Sequence, residues 1–577
     1  MPPQRPRLPL PAARGRAKQS VVDDASEPNR EPPPRTPNAL ETLLLRFRAR
    51  LLSWLARVVP EEHQHLFVVT VIVGLVCGLV AVAFHVAIQL AEAQIVGRAI
   101  AAGGWPGLLL LALSPALGGL AAGLLLVWVV PGARGSGIPQ VKRAYALGDG
   151  RVPFRDALGK FLIGTLQIGS GASLGREGPT VQICAGATTL IARLTALPER
   201  NLRRLVPVAA SAGIAAAFNA PIAAVTFTIE EIVGTLDHSV LSGVVVAAAL
   251  ASVIERSVLG VHPVIEAPVG LGLDHASSLV LYALLGVAAA AVSIIFTDGL
   301  LGLRSWFRGL RRVPAWAQPA VGGLVTGVLG AAVLAGLGVT GVNGGGYETL
   351  GLALEGKLAL GALLALCGAK LAATLFSYSS GGAGGIFMPA LFVGAMLGGA
   401  VGHLDVGVLG HEPRQLGAFA LVGMGAVFAG VIRAPITSVL IIFEMTGAYG
   451  LILPLMLANV TSFVLARRHR PTPIYDALLA QDGIVLPHGA AVRLDDSATA
   501  AVEPLARELA RSVGPEDHAA GLPQVGPDVP LSELASAIVE ARAPALAVVG
   551  DDGRVTGVVT REVIAGTLLE RRPPRPR

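Results

Sequence analysis

Charge is scarce in this chain: Asp, Glu, Lys and Arg make up 15% of its 577 residues, aromatics 5%, and cysteine occurs three times. Each shortage excludes something. Cys77, Cys184 and Cys367 fall inside apolar segments with no paired spacing, so neither a disulfide framework nor a zinc site is expected. The 11 histidines show no metal-ligand spacing, and no metal or cofactor is expected. A GxxxxGK[ST] phosphate loop is missing, which argues against ATP-driven pumping. Basic patches interleaved with aromatics are missing too, so the net charge of +6 is read as topology, with no nucleic-acid partner. Residues 1–40, Pro- and Arg-rich, carry no apolar core of a secretory signal.

Hydrophobic residues reach 53%, and the mean hydropathy is +0.64. Residues 66–92, 107–130, 238–256, 276–303, 318–338 and 357–376 each supply roughly the 20 apolar residues of a spanning helix. A multi-pass membrane protein is therefore expected, with the lipid bilayer as a partner. The 71 glycines and 40 prolines survive at membrane depth only where irregular backbone is buried in protein or lines a cavity, so broken helices are expected. Four regions follow: a disordered cytoplasmic 1–40, an amphipathic helix at 41–60 lying on the membrane, a transmembrane domain at 61–480 and a cytoplasmic domain at 481–577. Basic clusters at Arg46, Arg48 and Arg50, from Arg304 to Arg312 and from Arg467 to Arg470 favour the cytoplasmic side and place both termini inside. The composition is compatible with a bacterial inner membrane.

In the segment GASLGREGPTVQI, Glu177 lies just before Gly178 and Pro179. An ionisable residue at membrane depth is a functional hypothesis by default, and Gly-Pro is what a helix start inside the bilayer would use. Such a broken helix points its positive end at an anion, and the glutamate would compete with that anion. GARGSGIPQVK (132–142) and SSGGAGGIFMPALFVG (379–394) are two further breaks where backbone N–H groups could face a ligand. Several are needed together. Taking a small ion out of water costs of order 20 kcal/mol, whereas one helix end contributes up to about 2 kcal/mol. The hydroxyls of Ser136 and Tyr475 are available additional donors.

An internal repeat aligns NAPIAAVTFTIE (219–230) with RAPITSVLIIFE (433–444). Pro221 and Pro435 start equivalent helices, and Glu230 and Glu444 end them, which reads as a shared structural glutamate. Glu231 falls opposite Met445, so the repeat does not require it.

GSGIP at 135–139, GREGP at 175–179 and GGIFMP at 384–389, followed in order by AFNAP with IEE and IRAP with FEMT, resemble the signature set of the CLC chloride channel and transporter family. The resemblance runs from about residue 64 to Tyr475. It implies an all-α polytopic fold of two inverted repeats of tilted and broken helices, a homodimer, and a separate anion pathway in each subunit. Carried over by position, it makes Ser136 the side-chain chloride donor, Tyr475 its phenolic partner, and the N–H groups of Ile386 and Phe387 further donors. Gly135, Gly137, Pro139, Gly178 and Pro179 support these turns. Glu177 matches the gating glutamate, which occupies an anion site when ionised and admits chloride when protonated, and Glu231 resembles the internal proton-transfer glutamate. Serine in GSGIP goes with chloride in this family and proline with nitrate.

Each residue also has a plainer reading. Ser136 could bond to its own helix, Tyr475 could be an interfacial aromatic, and Glu231 a solvated acid at a helix end. Lys160 is either a source of positive potential near the pathway or a lysine paired with a carboxylate. Arg176 either stabilises Glu177 or pairs with another acid. Gln140 and Lys142 stand where some members carry acids, and little consequence is attached to that change beyond altered pairing with Lys160.

After Tyr475 the chain resembles one cystathionine-β-synthase (CBS) module, a small α/β domain with a helix at 531–541 and strands at 545–549 and 554–560 joined by a Gly550–Gly553 turn. Paired modules bind adenine nucleotides. Residues 484–520 offer no convincing second module, so a degenerate domain without nucleotide is expected. Three functions are carried forward: a chloride/proton antiporter, a passive voltage- or pH-gated chloride channel, and a membrane-anchored nucleotide sensor. None of them is an enzyme.

Overall fold

The structure, a computed structural model, describes residues 62–147, 150–234, 238–260, 265, 268, 270–486 and stretches between 522 and 564. The regions expected at 1–40 and 41–60, the Gly550–Gly553 turn, and the search for a second module at 487–520 lie outside the described residues. Two compact units divide between Leu486 and Pro487.

The first unit is helical throughout its described residues. Its first half contains α1 (Glu62–Glu92), α2 (Arg98–Ala102), α3 (Gly104–Trp128), α4 (Ile138–Ala146), α5 (Phe154–Gly169), α6 (Glu177–Leu194), α7 (Glu199–Phe218), α8 (Pro221–Phe227) and α9 (His238–Leu259). A π-helical segment, Thr228–Val233, extends α8. The second half contains α10 (Ser278–Gly309), α11 (Gln318–Leu337), α12 (Tyr347–Leu354), α13 (Leu360–Ser379), α14 (Phe387–Leu409), α15 (Gln415–Ile432), α16 (Pro435–Thr446), α17 (Ile452–His469) and α18 (Ile474–Gln481). Among the described residues, nine helices are long and apolar enough to cross a membrane. At 1.5 Å rise per residue α1 is ~46 Å long against a hydrocarbon core of ~30 Å, so it must tilt.

The two halves are copies. The order α3 to α9 recurs as α11 to α17, with α1, α2, α10 and α18 outside that correspondence. The copies are also inverted, and the chain's own caps show it. Glu230, past the end of α8, accepts the N–H groups of Ile436 (3.2 Å) and Thr437 (2.9 Å) at the start of α16. Glu444, near the end of α16, accepts the N–H groups of Ile222 (3.0 Å) and Ala223 (2.7 Å) at the start of α8. Each helix therefore ends where the other begins. These two carboxylates satisfy N–H groups that have no partner inside their own helices and sit at the positive helix ends.

Helices α14 and α15 form the centre, and every residue of α15 is buried. Gly394 and Gly423 face each other there, and a Cβ on either would overlap the other's carbonyl, so only glycine lets these backbones meet. Neither helix was among the six spans expected from hydropathy. Both are as apolar as helices that were expected, and their glycines serve close packing within the protein.

In the second unit, β1 (Gln524–Val525) pairs parallel with β2 (Ala545–Val549), which pairs antiparallel with β3 (Val555–Thr560). Leu534, Ile538, Leu546, Val548, Val559 and Ile564 form its core. The two long strands lie where the Val-rich runs put them, whereas β1, two residues long, leaves no sequence pattern.

Candidate functional site

Three short loops, each followed by a helix start, meet around Ser136. The first is the turn before α4. Gly137 holds φ +103°, and the turn is stitched by Gln140, whose Oε1 accepts the Gly137 N–H (3.0 Å) while its Nε2 donates to the Arg134 carbonyl (2.7 Å). A Cβ on Gly137 would overlap the Gly178 carbonyl, and a Cβ on Gly178 would lie 2.6 Å from Ser136 Oγ. Both positions therefore require glycine for α4 and α6 to begin against each other.

The second and third loops are tied together. Gly175 N–H donates to the Gly385 carbonyl (2.8 Å) and Gly385 N–H returns to the Gly175 carbonyl (2.6 Å). This bridge sets the start of α6, at Glu177, beside the start of α14, at Phe387. The N–H groups of a first helical turn have no acceptor inside the helix, which leaves those of Ile386 and Phe387 available. The Phe387 ring is fixed by Phe227 and Phe428, each 5.1 Å between centroids, and by Tyr475 at 6.2 Å.

Ser136 and Tyr475 are fully buried, and their hydroxyls lie next to each other. Neither completes a hydrogen bond of full geometry. Ser136 is therefore not bonded back to its helix, and Tyr475 is not an interfacial aromatic. Two buried, uncommitted O–H donors beside open helix N-termini suit a small anion.

Glu177 is buried as the first residue of α6. Its carboxylate is met by its own N–H, the Met388 N–H and the Tyr347 hydroxyl, though neither oxygen completes a hydrogen bond of full geometry. Arg176 donates to the Ala217 carbonyl (3.2 Å) and lies 5.7 Å from the Tyr347 ring centroid. It thus packs against the residue that touches Glu177.

Lys160 lies beside the turn that presents Ser136. Its Nζ donates to the Gly135 carbonyl at 2.6 Å, propping the turn that presents Ser136. Lys370, its counterpart in the second half, donates to the carbonyls of Gly341 (3.1 Å), Val342 (3.1 Å) and Gly344 (2.7 Å).

Glu231 is not a solvated acid. Its side chain is 3% exposed, and Lys142 Nζ lies 2.8 Å from its carboxylate. Lys142 also lies 2.6 Å from Asp476, the residue after Tyr475. The residue at 142 does alter the local pairing: Lys142 meets Glu231 and Asp476, while Lys160 bonds to backbone. Asp476, Tyr347 and Lys370 were not singled out in the sequence, nor was the pairing of Lys142 with Glu231. That pairing spans 89 residues and leaves no local signal. Cys77 and Cys184 also meet, each thiol 3.7 Å from the other's carbonyl. No group of three metal-ligating side chains occurs among the described residues.

Comparison with known proteins follows the same outline. A family model described as voltage gated chloride channel matches residues 118–467. The crystal structure of a slow cyanobacterial Cl−/H+ antiporter is similar over 72% of this chain and 98% of that one, with 26% identity and a TM-score of 0.65. A eukaryotic CLC transporter (21% identity, TM-score 0.61, 88% of this chain and 89% of that one) and a CLC-type fluoride/proton antiporter (20%, 0.59, 71% and 97%) share the fold.

Proposed function

The chain belongs to the voltage-gated chloride channel family, and from that premise we propose that it is a secondary antiporter exchanging chloride for protons. One observation carries the reading. The Ser136–Tyr475 hydroxyl pair is buried, the start of α6 that carries Glu177 packs against Ser136, and Glu231 pairs with Lys142 of the helix that Ser136 precedes, so two buried carboxylates come from elements joined to the candidate anion position. A passive pore needs one gate at most. A second carboxylate at membrane depth suits a proton relay.

In this reading chloride is held by the hydroxyls of Ser136 and Tyr475 and the N–H groups of Ile386 and Phe387. Glu177, ionised, competes with chloride for the start of α6; protonated, it loses its attraction to the positive helix end and swings away. Glu231 passes protons between the inner face and Glu177. The Cl−/H+ antiport of the cyanobacterial relative supports the exchange. The channel reading gains from Lys142, since a lysine-paired Glu231 could serve structure alone.

We also infer a homodimer in a cell membrane. Ile222, Val245, Val253, Ile436, Leu453 and Val460, on α8, α9, α16 and α17, are exposed apolar residues flanking the cross-capped helices. Both termini are inferred to be cytoplasmic. Arg304 bonds to the Leu478 carbonyl (3.2 Å) and Asp482 (3.0 Å), so the basic end of α10 and the end of α18 share one side, the positive-inside side.

The test is chloride-driven proton movement in liposomes with the voltage clamped. Uphill proton transport that disappears in Glu177→Gln supports exchange, and chloride flux without proton movement in the unsubstituted protein means a channel.

A further inference from the structure

Lys142 is the fifth residue after Gly137, just over one turn into the helix that presents Ser136. Its ammonium sits between two carboxylates from two other elements, Glu231 of the π-helical segment and Asp476 of α18. All three side chains are nearly buried, at 13%, 3% and 12% exposure. The elements carrying Ser136, Tyr475 and Glu231 are thus pinned at one nitrogen.

The charges do not balance. One ammonium is shared by two carboxylates, so Lys142 alone neutralises only one of them where charge is costly to keep. Asp476 lies in the first turn of α18, where the positive helix end favours a carboxylate. Glu231 has no such support, and Glu230 beside it adds a like charge. A proton reaching Glu231 leaves a balanced Lys142–Asp476 pair.

We propose that Lys142 is a positioning residue that latches the inner end of the anion pathway: its ammonium, shared by Glu231 and Asp476, holds α4 and α18 together and keeps Ser136 against Tyr475. When Glu231 takes up a proton, its arm of the latch opens, and the inner end of the path can part. The latch deepens the reading of Glu231 given above and rests on it for the proton that opens the arm. Its effect on chloride movement can be read on its own.

The experiment uses the full chain in liposomes and records chloride efflux and proton movement together, for the unsubstituted protein, K142Q, K142R, D476N, E231Q and the K142Q/E231Q double variant. A latch predicts that K142Q and D476N each raise chloride efflux about fivefold or more, that K142R returns it toward the unsubstituted rate, and that the double variant exceeds neither single one. D476N leaves the Lys142–Glu231 pair balanced, so it keeps the test decisive where K142Q does not fold. Efflux unchanged in D476N, or effects of K142Q and E231Q that multiply, overturns the latch. Proton movement in the unsubstituted protein judges exchange separately: its absence alongside the latch pattern removes the exchanger and leaves the latch standing.

Discussion

The two halves share a backbone and differ in chemistry. Glu230 and Glu444 cap each other's helices. Lys160 and Lys370 each prop a loop through backbone carbonyls. Gly175 and Gly385 bridge to each other. At three positions of the candidate site the first half carries a hydroxyl or a carboxylate and the second does not: Ser136 corresponds to Gly345, Glu177 to Phe387, and Glu231 to Met445. The shared residues build the scaffold. The unshared ones are the candidates for moving ions, and this division can be broken by experiment.

The largest effect is expected at Glu177. Glu177→Gln removes the charge that competes with chloride, so uphill proton movement falls to background while chloride flux persists and loses its pH dependence. Proton and chloride fluxes recorded together check this. Glu231→Gln should likewise stop proton movement, and Glu444→Gln should not, although both are acids near the end of a repeated helix. Equal effects of the two would erase the distinction between unshared and shared acids.

Smaller and more local is Ser136→Ala. Losing one donor to a charged partner costs about 1.5–3 kcal/mol, so chloride binding measured by calorimetry should weaken roughly 10- to 150-fold. Among the scaffold residues, Lys370→Met strands three carbonyls and Lys160→Met one. Thermal unfolding in detergent should therefore fall further for Lys370→Met, each stranded buried carbonyl costing about 1–3 kcal/mol. The smallest effect is expected for Glu444→Gln, a weakened cap worth about 1 kcal/mol.

Much of this was legible in the chain. The six hydropathy spans match α1, α3, α9, α10, α11 and α13 to within a few residues, because a lipid-facing helix must be apolar along its length. The Pro-to-Glu repeat revealed α8 and α16, since a helix start and a cap leave residues at fixed separation. Helices α14, α15 and α17 were not among the six spans although they are about as apolar as α9 and α13; glycines and prolines within or beside them break up the apolar runs. The loops presenting Ser136, Glu177 and Phe387 could be read from their glycines and prolines. What could not be read were contacts between distant segments: Lys142 with Glu231, Lys160 with the Gly135 carbonyl, and Tyr347 with Glu177. The equivalence of Lys160 and Lys370 went unnoticed too, because a lone lysine in an apolar run carries no pattern until the loop it props is seen.

The central claim, that the unshared carboxylates couple protons to chloride through the Ser136–Tyr475 position, is tested most directly by proton uptake into liposomes. The protein is reconstituted under an imposed chloride gradient with voltage held by an ionophore. The account predicts uphill proton movement that is absent in Glu177→Gln and in Glu231→Gln. Chloride flux with no proton movement in the unsubstituted protein, or uphill proton movement that survives in Glu177→Gln, would contradict it.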